Sequence, residues 1–282
     1  TTKVLMRRKY HEQFSQRNLI ALLTQVSSYW QKDDHDYRFD DADPYMEGEP
    51  SHESGIDLFR EQMPILESED GVSPTWRTHR VTKDLQIWLT EGRDHRNPNR
   101  MPDGPGKSLW GKTQVIWLKQ SVLESDARFK VILNPTPLVG PDDAHKNDNH
   151  TNPGGFQFER DLWLAWLTDN EISPDRIFFV TGDRHWQYHS QHWTGYHEFS
   201  SGTIDRSNAR TGRIPGDPHS TDPVGQVTIH YIQDTPDSVD GGFLMIEVQP
   251  GSDLNEPAIR FAHYNQAGQN LYTFSPGTQR NQ

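Results

Sequence analysis

The sequence predicts an α/β fold with an antiparallel tail. Three observations carry this. Short apolar runs alternate with amphipathic helical stretches through the first two thirds of the chain. Two of these runs, Val26–Trp30 and Ile177–Val180, feed into clustered Asp and His residues, the pattern of sites built at strand ends. The last third holds short β-rich runs with no helical pattern between them.

In chain order, residues 7–25 read as a helix, with Leu19, Leu22, Leu23 and Val26 at helical spacing. A buried strand at Val26–Trp30 and the Asp-rich loop 33–43 follow. Residues 44–75 are rich in Pro, Gly, Ser and Glu and read as a long loop with one helical stretch near Ile56–Met63. Arg80–Leu89 reads as a strand or an antiparallel pair, and 97–107 is a Pro- and Gly-rich loop. Lys112–Leu123 is a helix, Phe129–Leu133 a buried strand, and 139–155 a long polar loop. Such loops inside a compact domain are more often functional than accidental. Phe158–Leu167 is a Trp-rich helix whose rings read most simply as core. After the strand ending at Val180, residues 205–225 are loop-like. Val227–Ile232 and Phe243–Val248 are strands, and Ile259–Tyr264 with Leu271–Phe274 complete an edge. No internal repeat or domain boundary interrupts residues 1–282.

Composition narrows the function. The chain has 282 residues, no cysteine and a net charge of −12, which excludes disulfides, thiolate metal sites and a cysteine nucleophile. The acidic balance argues against nucleic-acid binding, which needs a basic surface. No apolar run approaches the roughly 18 residues of a membrane span, and no signal-peptide pattern follows the basic residues 1–10. There is no Gly-x-Ser-x-Gly and no His-Glu-x-x-His, which disfavours a serine hydrolase and a zincin.

Two polar clusters carry the chemistry. Asp33-Asp34-His35-Asp36 and Gly182-Asp183-Arg184-His185 combine carboxylate oxygen with imidazole nitrogen, a donor set suited to iron, zinc, manganese or calcium. If the strand ending at Val180 continues extended, Asp183 and His185 point to one side and Arg184 to the other. Arg184 and Arg93 then either orient a phosphate by bidentate contact or form structural salt bridges. His150, in the run Lys146-Asn147-Asp148-Asn149-His150, either reaches the site or belongs to a turn. Asp40, Asp41 and Asp43 read as solvated, or at most as a calcium-type surface site.

With these residues in hand, the chain resembles the alkaline phosphatase D family of calcineurin-like metallophosphoesterases. Trp30-Gln31-Lys32-Asp33-Asp34-His35-Asp36 resembles the family's Trp-x-Asp-Asp-His-Glu motif with an insertion. Gly92-Arg93-Asp94-His95-Arg96 sits where the family places an Arg-containing strand end. Trp110–Leu123 and Val131–Pro137 resemble the following helix and strand, and Thr181-Gly182-Asp183-Arg184-His185 resembles its Thr-Gly-Asp-x-His motif.

The resemblance implies a four-layer αββα sandwich and a metal-dependent phosphoester hydrolase with a dinuclear centre of two or more metal ions. By motif, Asp34, Asp183, His185 and Asn134 are metal ligands. His35 contacts the substrate phosphate and protonates the leaving group. Arg93, His150 and Arg184 are substrate contacts. Export to the periplasm, cell surface or medium is also implied. A sulfate-ester or phospholipid hydrolase on the same fold, or a non-catalytic subunit, are the alternatives. The family's first metal-bearing strands, with their bridging Gly-Asp, have no counterpart before Asp33. An N-terminal segment or second chain is therefore expected to complete the sheet.

Overall fold

The structure, a computed structural model, describes residues 2–65, 75–251 and 255–277. Part of the expected 44–75 loop thus lies outside the described residues.

A seven-stranded mixed sheet in the order β1-β2-β3-β4-β6-β5-β7 forms the centre. Its strands are β1 (Arg77–Arg80), β2 (Leu85–Leu89), β3 (Phe129–Asn134), β4 (Ile177–Thr181), β5 (Gln187–Gln191), β6 (His197–Ser201) and β7 (Thr228–Ile232). β2, β3, β4 and β6 run parallel, joined through α5 (Lys112–Glu124) between β2 and β3 and α6 (Gln157–Asp169) between β3 and β4. A three-stranded antiparallel sheet, β8 (Gly242–Gln249), β9 (Ala258–Asn265) and β10 (Asn270–Phe274), packs on the other face.

Side-chain alternation explains the layering. In β3 and β4, Ile132, Ile177 and Phe179 face the helices and pack with Leu118, Val122, Trp163, Leu164 and Leu167. Val131, Phe178 and Val180 face the second sheet and pack with Ile259, Phe261 and Phe274. Parallel strands covered on both faces read as continuous apolar runs, which is why Phe129–Leu133 and Ile177–Val180 were legible. Phe199 of β6 stacks on Phe261 of β9 with centroids 4.1 Å apart, fastening the two sheets. The chain is thus an α/β sandwich of helices, large sheet and small sheet among the described residues.

The N-terminal segment departs from the sequence expectation. Residues 7–25 are not one helix but two, α1 (Lys3–Phe14) and α2 (Arg17–Leu23), broken at Ser15–Gln16. α1 buries Met6 and Tyr10 against Leu58 and Phe59 of α4 (His52–Gln62) and against Met63, which caps it. No residue of α2 is buried, and Ile20 and Leu22 are exposed, Leu22 at 56%. Nor is Val26–Trp30 a buried strand: it has no regular structure, and Val26 and Tyr29 are exposed. The first cluster therefore does not end a strand. Asp34–Tyr37 is instead a single helical turn, α3, whose start is fixed by the Asp36 carboxylate accepting from Asp33 N–H at 3.2 Å.

Two strands went unread. β5 and β6 pair along their whole lengths, yet Gln-Tyr-His-Ser-Gln and His-Glu-Phe-Ser-Ser carry little apolar alternation. Their polar side chains are buried because they bond within the sandwich: Glu198 Oε2 accepts from Leu138 N–H at 2.6 Å and Val139 N–H at 3.0 Å.

Candidate active site

Register places the site. Leu89 of β2 pairs with Leu133 of β3, and Asn134 of β3 with Thr181 of β4, so these three parallel strands end level. The loops beyond their carboxyl ends carry Arg93, then Asp142 and Asp148, then Asp183–His185. Crevices at such ends are where open α/β sheets bind ligands. The α3 turn lies over the same edge, tied down by the residues before it. Gln31 Nε2 donates to Thr90 O and Leu133 O, both at 2.7 Å. The fully buried Lys32 ammonium pairs with Glu91 at 2.6 Å and with Asp94. Gln31 and Lys32, the two residues between Trp30 and Asp33, thus anchor the turn where a strand at Val26–Trp30 was expected to lead into it.

A buried guanidinium is the hub. Arg93 Nε donates to Asp33 Oδ1 at 2.7 Å, Nη2 to Asp148 Oδ2 at 3.1 Å, and Nη1 to Ala42 O at 3.2 Å. Asp34 and Asp183 also act on it electrostatically, and together the carboxylates lift its pKa well above the ordinary value against the opposing effect of burial. The first and second clusters thus act on one another through Asp33 and Asp183, whose carboxylates interact electrostatically with each other and with Arg93.

The second cluster is turned, not extended. Asp183 has φ +61°, and Arg184 N–H donates to Gly182 O at 2.6 Å, closing a three-residue turn. Left-handed backbone at a non-glycine residue is uncommon and collects at functional sites. The turn brings Arg184 back to pair with Asp183 and Asp142, so it does not point away as extended alternation predicts. His185 Nδ1 lies 2.7 Å from Asn208 O. Donating there leaves Nε2 free to ligate, the usual arrangement of a metal-binding imidazole.

The remaining candidates fall as follows. Asp34 is buried, accepting from His35 N–H at 2.7 Å and Asp41 N–H at 2.8 Å. His35 is 74% exposed, with Nε2 3.7 Å from Asp40 Oδ1. Asp34, His35 and Asp40 place one ligand atom each within 4.8 Å of the others. Asn134 is spent within the fold: its Oδ1 accepts from Thr90 Oγ1 at 2.7 Å and Trp110 Nε1 at 3.1 Å, and Nδ2 donates to Thr136 O at 2.6 Å. His150 is buried beside Trp110, its Nε2 3.0 Å from Glu159 Oε2 of α6. Sequence reading missed Asp33, Asp142 and Asp148. Asp148 lay within the flagged 146–150 run, but nothing in that run distinguishes it from a turn-forming Asp.

The electrostatics call for positive charge. Burial raises the pKa of Asp33 and Asp183, with Arg93 and Arg184 respectively opposing it. Burial pushes Asp142 up to about 7 despite Arg184. Burial also acts to raise Asp148, but Arg93, Arg96 and Arg184 hold it down to about 2. Its Oδ1 is buried without a hydrogen-bond partner. Crowded, buried carboxylates with an orphaned oxygen fit hard cations well. A cavity of about 780 Å³, lined by Arg80, Lys130 and Arg176 among others, lies at the opposite ends of these strands and does not touch the network.

A family model described as PhoD-like phosphatase matches residues 1–226. A solved structure of PhoD superposes with a TM-score of 0.56 at 15% sequence identity, covering 85% of this chain and 54% of that one. At that identity the likeness shows the fold alone, and the chain spans about half the length of that protein. No curated protein matches it.

Proposed function

The chain belongs to the PhoD-like phosphatase family, and from that premise we propose that it hydrolyses phosphate esters with a dinuclear metal centre at the ends of β3 and β4. The observation that supports this most is the Arg93 hub, which gathers Asp33, Asp34, Asp148 and Asp183 around one buried point. Asp34, Asp183 and His185 Nε2 would hold the metals, with Asp33 and Asp148 Oδ1 as further oxygen donors. When bound, such ions supply Lewis acidity to the phosphoryl group and to the attacking water.

The chain's own residues do the rest. Arg93 and Arg184 set a positive field at the phosphoryl oxygens, rigid because each guanidinium is already held by carboxylates. Asp148, ionised well below neutral pH, stays an acceptor throughout. His35, outermost and exposed, gives the proton at Nε2 to the ester oxygen as the P–O bond breaks, with Asp40 Oδ1 3.7 Å from that nitrogen. Whether the ester is a monoester, a diester or a phospholipid follows from groups on the substrate, not from these contacts.

The test is hydrolysis of aryl phosphomonoesters and diesters by chelator-treated chain before and after adding back iron, zinc, manganese or calcium. Activity should return with at least one metal and be lost in Asp183→Asn. Metal-independent hydrolysis, or full activity in that variant, overturns the reading.

A further inference from the structure

A second cluster of metal-ligand type lies away from the Arg93 network. His189 of β5, His197 of β6 and His230 of β7 meet where the large sheet faces β10. One ring nitrogen of each lies within 4.8 Å of one from each of the others. His189 and His230 stack with centroids 4.6 Å apart, and Phe199 and Phe274 line the same space.

The hydrogen bonds fix which nitrogens face inward. His189 Nδ1 lies 2.9 Å from Tyr272 Oη. His230 Nε2 lies 3.1 Å from Gln191 Oε1, and His197 Nε2 3.3 Å from Gln191 Nε2. The outer nitrogen of every ring therefore has a partner from the surrounding shell. For His189 and His230 that partner can accept, the arrangement by which ligating imidazoles are oriented, whereas Gln191 Nε2 donates to His197 Nε2. Inside, His189 Nε2 and His197 Nδ1 are 2.8 Å apart and share one proton.

We propose that His189 Nε2, His197 Nδ1 and His230 Nδ1 form a site for one divalent transition cation of the zinc or copper class, with solvent in the fourth position. The donor set is all nitrogen, and the charged groups that act on His189 are other histidines, with no carboxylate among them. Calcium and magnesium, which want oxygen, are thereby disfavoured, whereas imidazole suits zinc, copper and nickel. Burial lowers the pKa of all three rings, so they stand ready as neutral ligands.

The site forms once His230 turns out of its stack on His189, at 28° to that ring, so that both lone pairs meet one ion. Metal–nitrogen bonds of ~2.0–2.1 Å in a tetrahedron set nitrogens ~3.3 Å apart. The His189–His197 contact must open from 2.8 Å, and His230 must close in. His230 is only half buried, on the edge strand β7, so its ring has room and solvent reaches it. The proton on His197 Nδ1 moves to Nε2, so none is lost. Gln191 turns so that Oε1 accepts from both His197 Nε2 and His230 Nε2, and it gives up the bond from Nε2 to Gly195 O. An ion here would tie β7 to β5 and β6 and, through Tyr272, to the second sheet.

The experiment uses tag-free chain carrying Asp34→Asn and Asp183→Asn, which weakens the proposed phosphatase site and leaves the imidazoles intact. Zinc is titrated by calorimetry with metal analysis, and cobalt is added separately as a spectroscopic probe. The expected result is one tightly held equivalent, tetrahedral cobalt absorption, zinc-dependent shifts of the three imidazole nitrogen resonances and a higher Tm. Adding His230→Ala, at an edge-strand position, should abolish all four. Absence of a bound equivalent in the first variant overturns the proposal, as does an equivalent that survives His230→Ala. Loss of phosphatase activity bears on neither outcome.

Discussion

At the scale of single residues, exposure separates chemistry from architecture. His35 projects outward at 74% exposure, and its removal unpacks nothing. His35→Ala should keep the Tm and metal content of the parent while turnover falls about 10²–10⁴-fold, the usual worth of general acid–base help. Unchanged turnover would take His35 out of the mechanism. Arg93 is the opposite case, wholly buried and bonded to two carboxylates and a carbonyl. Lysine keeps the charge but not the fork. Arg93→Lys strands Asp33 or Asp148 in the interior, and breaking a buried pair costs about 3–5 kcal/mol. Denaturant titration should show that loss together with loss of activity; a variant as stable as the parent would mean that the hub is dispensable.

Among the elements, the site depends on how closely α4 packs on the α3 turn. Gly55 of α4 makes this approach possible, since a Cβ there would sit 2.4 Å from Tyr37 O and 2.9 Å from the Tyr37 ring. Backbone on one side and a buried ring on the other leave nothing cheap to move. Gly55→Ala should cost about 1–3 kcal/mol through overpacking and displace the turn that carries Asp34 and His35, lowering kcat. If thermal unfolding and kcat both match the parent, α4 does not position the turn. Gln31 and Lys32 act on the same turn from the other side. Their bonds to Thr90 O, Leu133 O and Glu91 replace sheet pairing with side-chain anchoring.

For the molecule as a whole, the joint between the two sheets is rich in buried imidazole, which makes it sensitive to acid. His263 of β9 is fully buried, with Nε2 2.9 Å from Ser200 O of β6, and burial depresses its pKa from 6.5 to about 4. A histidine held neutral in the fold but free to protonate when unfolded contributes stability above pH 6.5, and that contribution is lost as pH falls from 6.5 toward 4. Across that window the loss is about 3 kcal/mol, because one proton taken up only by the unfolded chain costs ~1.4 kcal/mol for every pH step of one. His263→Gln should flatten the fall of unfolding free energy between those pH values by about one proton's slope, relative to the parent. Identical slopes would show that His263 already titrates normally in the folded chain.

The α/β class, strands at β2 to β4, the helices α5 and α6, the antiparallel tail and the two polar clusters were legible in the amino-acid order alone, whereas the parallel pairing of those strands came from the fold. These are local properties: a strand covered on both faces must be apolar throughout, and a strand end must release polar residues into a loop. The α/β sandwich bears out that reading, and the family model bears out the resemblance read from the ordered motifs. Only the tertiary structure decided how the first cluster is held, since Val26–Trp30 forms no strand and Gln31 and Lys32 reach partners about sixty to a hundred residues away. It alone assigned β5 and β6, whose polar residues are buried by partners distant in sequence. It alone distinguished Asp148, which meets Arg93, from the neighbouring His150, which meets Glu159. The physical reason is the same in each case. Periodicity reports the burial of apolar faces, whereas a buried charge is stabilised by whichever opposite charge the folded chain brings to it, and no local pattern encodes that partner.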